Sequence, residues 1–146
     1  MDENIREFLQ SKSIAVIGVS ATRTKFGALV YRALKRNGFK VYGVNPSLAS
    51  CDGDTCYARL ADIPEPVEGV LVVVRPERVK GLISEAARGG IERIWFQQGP
   101  DHTKLANQAS EAGMTVVADK CILMYAKPVA GIHRVHRFFA RLFGKY

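Results

Sequence analysis

A cluster of hydroxyl and basic side chains follows the first apolar run of the chain. Residues 13–17 are small or apolar, the run breaks at Gly18, and the loop that follows carries Ser20, Thr22, Arg23, Thr24 and Lys25. A helical pattern begins directly afterwards, at residue 26. The N–H groups at a helix N-terminus have no partner inside the helix, and the helix dipole favours negative charge there. The segment therefore predicts an anion site, and the phosphate of a nucleotide cofactor is the first candidate.

The loop departs from the dinucleotide-binding fingerprint G-x-G-x-x-G. After Gly18 the sequence reads V-S-A-T-R, and glycine returns only at Gly27. The acidic residue that binds an adenosine ribose is expected at the end of the second strand, where this chain has Asn45 and Pro46. A nicotinamide-dependent oxidoreductase is therefore the disfavoured alternative. The hydroxyl and cationic side chains favour a ligand that carries several phosphates.

Composition sets broad limits on the protein. A chain of 146 residues with 47% hydrophobic content predicts one domain over residues 1–146. The net charge of +7 favours anionic partners without choosing among them. The N-terminus lacks the features of a signal peptide, and no apolar run approaches the roughly 18 residues of a membrane span, so we expect a cytoplasmic protein. The three cysteines, Cys51, Cys56 and Cys121, are expected to be free thiols.

Short β-branched runs alternate with helical patterns, which is typical of βαβ units. Strands are predicted at 14–19, 40–44, 69–74, 93–97 and 115–118. Helices are predicted at 26–37, 76–88 and 102–112, after a short opening helix that Asp2 caps, whereas 45–54 is predicted to be a loop. The pattern predicts an α/β, doubly wound, mostly parallel five-stranded sheet with helices on both faces.

Ligands of such sheets bind beyond the carboxyl ends of the strands, where the strand order reverses. We expect these strand ends to form one crevice, although a proline or glycine at any one of them could simply turn the chain. The candidate binding residues are Gly18, Val19, Ser20, Asn45, Pro46, Val74, Arg75, Pro76, Gln97 and Gly99, together with Arg23 and Lys25 of the first loop.

Six segments at these strand ends resemble a known family. They are V-I-G-V-S at 16–20 with Lys25 downstream, G-V-N-P at 43–46, the segment 57–64, V-V-V-R-P at 72–76, I-W-F-Q-Q-G at 94–99 and A-G-M-T-V-V-A-D-K-C at 112–121. In order and spacing they are similar to the small, free-standing CoA-binding proteins related to the N-terminal domain of the succinyl-CoA synthetase α-subunit. The resemblance implies a Rossmann-like fold that holds coenzyme A. The adenosine diphosphate part would lie near the first two strand ends, and the pantetheine along 75–76 and 97–99.

The residues themselves agree with this implication. CoA carries a 3′-phosphate on its ribose, which an acidic residue at the end of the second strand would repel. This chain has Asn45 there, with Arg23 and Lys25 to supply positive charge, although Lys25 could also be a solvated lysine of the first helical turn. We therefore expect the protein to bind CoA or an acyl-CoA.

No catalytic residue and no metal site are expected. The synthetase phosphorylates a histidine of a second domain, and this chain ends before such a domain. His102, His133 and His136 do not stand in a recognisable nucleophilic arrangement. Cys121 follows the last strand, where it would either form a mixed disulfide with CoA or, as the favoured reading, pack as a structural cysteine.

The segment at about 130–143 is predicted to form a basic amphipathic helix. Its apolar face is made of Ile132, Val135, Phe139 and Leu142. Packing on the sheet or on a second subunit of a homodimer is favoured over binding to an acidic membrane or to a partner protein. Nucleic acid is not an expected partner, because the strands lack the interleaved aromatic residues of common RNA-binding modules.

Overall fold

The computed structural model describes residues 2–126, so the predicted helix at about 130–143 lies outside the described residues. The helices in this part of the chain are α1 (Glu3–Leu9), α2 (Phe26–Arg36), α3 (Leu82–Arg88) and α4 (Thr103–Glu111). The strands are β1 (Ser13–Ile17), β2 (Lys40–Val44), β3 (Ser50–Cys51), β4 (Asp54–Tyr57), β5 (Gly69–Val72), β6 (Arg93–Gln97) and β7 (Thr115–Lys120). Within residues 2–126, no helix has the length and apolar content that a bilayer crossing requires.

The strands form one twisted sheet in the order β3-β4-β2-β1-β5-β6-β7. All neighbouring strands run parallel except β3 and β4, which pair antiparallel as a hairpin. The chain builds outward from β1 through β2 to the hairpin, then returns to the other side of β1 with β5. Strand order therefore reverses at β1, and the crevice of a doubly wound sheet lies beyond its carboxyl end. The predicted α/β, doubly wound fold is confirmed.

The predicted number of five strands was wrong, because the described residues form seven. The predicted strands are present as β1, β2, β5, β6 and β7. The additional hairpin occupies part of the predicted loop 45–54, where Asp52 and Gly53 adopt φ values of 53° and 81° that suit a tight two-residue turn. Its second strand pairs with β2, Cys56 opposite Gly43. This partner is distant in sequence, so short strands form here that local propensity does not favour.

The predicted single helix over 76–88 was also wrong. A 3₁₀ turn spans Pro76–Arg78, and α3 begins only at Leu82. Between them Gly81 has φ 74°, a left-handed conformation that interrupts a right-handed helix and costs little at glycine. The break at Gly81 separates the 3₁₀ turn that begins at Pro76 from α3, which packs on the sheet.

Side chains of the central strands alternate between two apolar layers. Ile14 and Val16 of β1 belong to the layer that also contains residues of α1 and α2. Ala15 and Ile17 belong to the opposite layer, which contains residues of α3 and α4. The alternation follows from the two-residue period of a strand, and it requires a cover on each face because both sets are buried. Helices therefore lie on both faces, as predicted.

A polar cluster fastens the β3–β4 hairpin to α2. The hydroxyl of Tyr31, a residue only 1% exposed, donates a hydrogen bond of 2.7 Å to Oδ2 of Asp54. The ammonium of Lys35 lies 2.6 Å from the same carboxylate oxygen. These hydrogen bonds, from Lys35 first and Tyr31 second, lower the pKa of the Asp54 carboxyl below its ordinary value.

The cluster predicts an acid-dependent stability. Because the folded-state pKa of Asp54 is depressed, its stabilising contribution is present above the ordinary pKa of about 3.9 and is lost as pH falls through the folded value. We expect the urea midpoint of the wild-type protein to fall more between about pH 5 and pH 2.5 than that of Asp54→Asn. Equal losses in the two proteins would contradict this assignment.

Candidate functional site

The carboxyl ends of β1, β2 and β5 meet at Gly18. Its N–H donates a hydrogen bond of 2.9 Å to the carbonyl oxygen of Val44. Its φ of 107° is disfavoured for residues that carry a side chain, and a Cβ at this position would collide with the side chain of Val74. Only glycine therefore lets the three strand ends approach each other this closely.

The N-terminus of α2 lies directly against the end of β1. A Cβ on Gly27, the second residue of α2, would collide with the carbonyl oxygen of Gly18. Lys25 is the N-cap residue, and in the described part of the chain no side chain caps this end of the helix. Among residues 2–126, the N–H groups of Phe26 and Gly27 have no hydrogen-bond partner, whereas that of Ala28 donates to the carbonyl oxygen of Lys25 at 3.1 Å. Phe26 and Gly27 therefore supply the free backbone donors at this helix end.

Asn45 connects the loops that follow β1 and β2. Its Nδ2 donates to the carbonyl oxygen of Val19 at 2.8 Å, and its Oδ1 accepts from the N–H of Ser47 at 2.8 Å. Because both the nitrogen and the oxygen of the amide are hydrogen-bonded, the Asn45 side chain is held in one orientation. Pro46, the next residue, is exposed. The position carries no negative charge, which suits a phosphorylated ribose.

A cavity of about 220 Å³ opens between the first loop and the β3–β4 hairpin. The loop and the start of α2 contribute Ser20, Ala21, Arg23 and Ala28. Arg32 of α2 and the hairpin residues Cys51 and Asp52 complete its wall. The guanidinium of Arg32 donates from Nη2 to the carbonyl oxygen of Arg23 at 3.0 Å, and this bond holds the loop against the helix.

Sequence reasoning missed Arg32 and the hairpin as parts of the site. One available signal was that Ala28 and Arg32 are four residues apart, which places them on the same face of a helix whose N-terminus begins at the loop. The hairpin gave only the Asp-Gly turn signal, and its approach to the loop depends on long-range pairing with β2.

Cys51 lines the cavity, and its thiol has low reactivity. Its Sγ lies 3.7 Å from the carbonyl oxygen of Ser20. Burial, followed by the carboxylates of Asp52 and Asp54, raises the pKa of its thiol. A thiol with a raised pKa stays protonated at neutral pH and is a poor nucleophile. Cys121 is partly buried and packs against the apolar layer of α1 and α2. The alternative of a mixed disulfide with CoA stays untested.

A buried histidine supports the end of β5. Nε2 of His102 lies 2.8 Å from the carbonyl oxygen of Val74, so we assign the ring proton to this nitrogen. The ring centroid lies 5.2 Å from that of Phe96. Arg75 and Pro76, which follow directly, start the 3₁₀ turn, and Arg75 is exposed. His102 was predicted only as a residue at a helix start, and its contact with a strand end is a finding of the structure.

The end of β6 contributes differently from the other strand ends. Gln97 is only 7% exposed, and its Oε1 accepts a hydrogen bond of 3.1 Å from the N–H of Ile122. The amide therefore holds the chain after β7. Gly99 is exposed with φ 127°, and a Cβ there would meet no atom within 4 Å. Among the predicted residues, Gly18 packs against Val74 and Asn45 binds Val19, whereas Gln97 binds the chain after β7.

The family model of the CoA binding domain matches residues 12–127 of this chain. The chain belongs to the CoA-binding domain family. The match covers every strand end described above, so the resemblance expected from the sequence motifs is confirmed.

Relatives of this CoA-binding domain differ greatly in length. The uncharacterised Bacillus subtilis protein YneT is 32% identical over 119 residues, which cover 81% of this chain and 88% of YneT. The ADP-forming acetate–CoA ligase II of Archaeoglobus fulgidus is 36% identical over 91 residues, which cover 61% of this chain and 14% of the ligase. A solved hypothetical protein from Pyrococcus horikoshii has a TM-score of 0.78 and 33% identity, with coverage of 84% of this chain and 87% of that chain. The CoA-binding domain therefore occurs in small proteins and as a minor part of a ligase.

Proposed function

We propose that this chain binds coenzyme A or an acyl-CoA at the carboxyl ends of β1, β2 and β5 and has no catalytic activity of its own. The observation that carries the proposal is the open N-terminus of α2, pressed against Gly18 and flanked by Arg23 and Lys25, in a member of the CoA-binding domain family. Backbone N–H groups and cations together favour a ligand with several phosphate charges.

The crevice offers a place for each part of the ligand. The pyrophosphate would lie at the N-terminus of α2, and the phosphorylated ribose beside Asn45 and Pro46, where no carboxylate repels it. The pantetheine would extend past Val74 along Arg75 and Pro76 toward Gly99. Gln97 would act indirectly, because its amide oxygen is hydrogen-bonded to the N–H of Ile122 and holds the chain after β7 in place.

The absence of catalysis is proposed from the size of the match. The aligned region makes up 14% of the acetate–CoA ligase. Burial raises the pKa of the Cys51 thiol in the cavity wall, which makes this thiol a poor nucleophile. A single domain over residues 1–146, a cytoplasmic location and contacts through the segment 130–143 stay predictions.

Calorimetric titration with CoA, 3′-dephospho-CoA and NAD tests the proposal. We expect CoA to bind most tightly, dephospho-CoA less tightly because it lacks one phosphate, and NAD most weakly. NAD binding tighter than CoA binding would favour the oxidoreductase alternative, and cofactor turnover measured by absorbance would then be the next experiment. Absence of CoA binding would refute the proposal.

A further inference from the structure

The cavity beside α2 contains a basic side chain without an acidic partner. Arg32 is partly buried there, and its Nη2 donates to the carbonyl oxygen of Arg23 at 3.0 Å. Among residues 2–126, no carboxylate oxygen lies within 4.0 Å of its guanidinium. A guanidinium has five N–H donors in a planar fork, so donors remain for a ligand anion after this contact is made.

The acidic residue of the same cavity pairs with a lysine that lies outside the cavity. The carboxylate of Asp52 lies 3.9 Å from Nζ of Lys35, which also pairs with Asp54 at 2.6 Å. The single ammonium of Lys35 therefore offsets part of the charge of these two carboxylates. The residues that line the cavity include two arginines, Arg23 and Arg32, and one carboxylate, so the lining carries a net positive charge.

We propose that Arg32 is the specificity-determining residue that binds the 3′-phosphate of the ligand ribose and so distinguishes CoA from 3′-dephospho-CoA. This inference rests on the proposed function. A phosphate monoester carries nearly two negative charges at neutral pH and three acceptor oxygens, which a guanidinium fork can bind in a bidentate manner. Ser20 lines the cavity, and the preceding residue, Val19, accepts a hydrogen bond from Asn45 at the end of β2. The cavity therefore lies next to the proposed position of the ribose.

The decisive experiment compares two ligands on one variant. Wild-type protein and Arg32→Gln are titrated calorimetrically with CoA and with 3′-dephospho-CoA at one salt concentration. We expect Arg32→Gln to lose about tenfold in affinity for CoA and less than about twofold for dephospho-CoA. Arg32→Lys should recover part of the CoA affinity, because it restores the charge without the fork.

Arg36→Gln is the matched control, since Arg36 is exposed on the same helix one turn further on. It should leave both affinities unchanged. Equal losses for the two ligands in Arg32→Gln would overturn the inference, because a merely structural role of Arg32 weakens both. An unchanged CoA affinity would overturn it as well.

Asp52→Asn tests the charge balance of the cavity. Asp52 has φ 53°, and asparagine tolerates this left-handed conformation, so the variant changes the charge and leaves the turn intact. We expect CoA affinity to rise about twofold to threefold and dephospho-CoA affinity to change less. A fall in CoA affinity would contradict a phosphate at this position.

Two nucleotides that lack the pantetheine part of CoA test this inference separately from the proposed function. If the wild-type protein binds neither CoA nor dephospho-CoA, the proposed function fails, and adenosine 3′,5′-bisphosphate is then compared with adenosine 5′-monophosphate. A preference for the bisphosphate that disappears in Arg32→Gln supports a 3′-phosphate site. Equal binding of the two nucleotides, or binding of neither, overturns the inference.

Discussion

A variant with both Arg23→Gln and Lys25→Gln is expected to bind CoA about 30-fold more weakly than the wild-type protein. The two side chains flank the open N-terminus of α2, where the pyrophosphate is proposed to lie. Both are exposed, so each contact is partly screened, and a combined loss of roughly 2 kcal/mol corresponds to the stated factor. The measurement is calorimetric titration at low and at high salt, and the difference between the proteins should shrink at high salt.

The matched control for this variant is Lys12→Gln with Arg88→Gln. This control removes the same total charge from exposed positions away from the carboxyl ends of the strands: Lys12 precedes β1, and Arg88 is the last residue of α3. We expect its CoA affinity to stay within about twofold of the wild-type value. An equal loss in the two double variants would mean that net charge, and no local phosphate site, attracts the ligand. An unchanged affinity after loss of Arg23 and Lys25 would refute the proposed site.

Gly27→Ala is expected to lower the free energy of unfolding by about 2 kcal/mol and to weaken CoA binding more than tenfold. Alanine is the better helix former, yet its Cβ would collide with the backbone carbonyl of Gly18, which cannot rotate away as a flexible side chain could. The helix must then move away from β1, and the N–H groups of its first turn leave their position at the crevice. Urea unfolding and CoA titration of the same preparation measure the two effects.

Gly89→Ala provides the comparison for Gly27→Ala. Gly89 follows α3 with φ −80°, and the atoms nearest to a Cβ there lie 3.5 Å away, which is ordinary contact. We expect this variant to be at least as stable as the wild-type protein, because alanine restricts the unfolded chain more than glycine does. If Gly27→Ala were equally benign, close packing of α2 on β1 would have no part in forming the site.

The first βα unit could be predicted from sequence because its signals are local. An apolar run, the break at Gly18, a hydroxylated basic loop and a helical pattern follow one another within residues 13–37. The structure places β1 and α2 within these limits. The strand ends at Asn45 and Val74 were predicted to converge with Gly18 because parallel strands of a doubly wound sheet share one carboxyl edge.

The remainder of the site depends on contacts between distant segments. The β3–β4 hairpin exists because Cys56 pairs with Gly43 and because Tyr31 and Lys35 bind Asp54. A two-residue strand has no periodicity from which to predict it. Gln97 was predicted to line the crevice, yet its amide oxygen is hydrogen-bonded to the N–H of Ile122. These residues are 25 positions apart, so no local sequence pattern predicts the contact.

By itself the amino-acid sequence determined the alternation of strands and helices, the hydroxylated and basic character of the first loop and membership of the CoA-binding domain family. These properties reside in short segments whose residue types and spacing carry the information. Tertiary structure alone decided that the hairpin lines a cavity beside Arg32 and that Lys35 pairs with both acids of this hairpin. Such charge balance arises only when segments far apart in the chain are folded against each other, since electrostatic energy depends on distance in space.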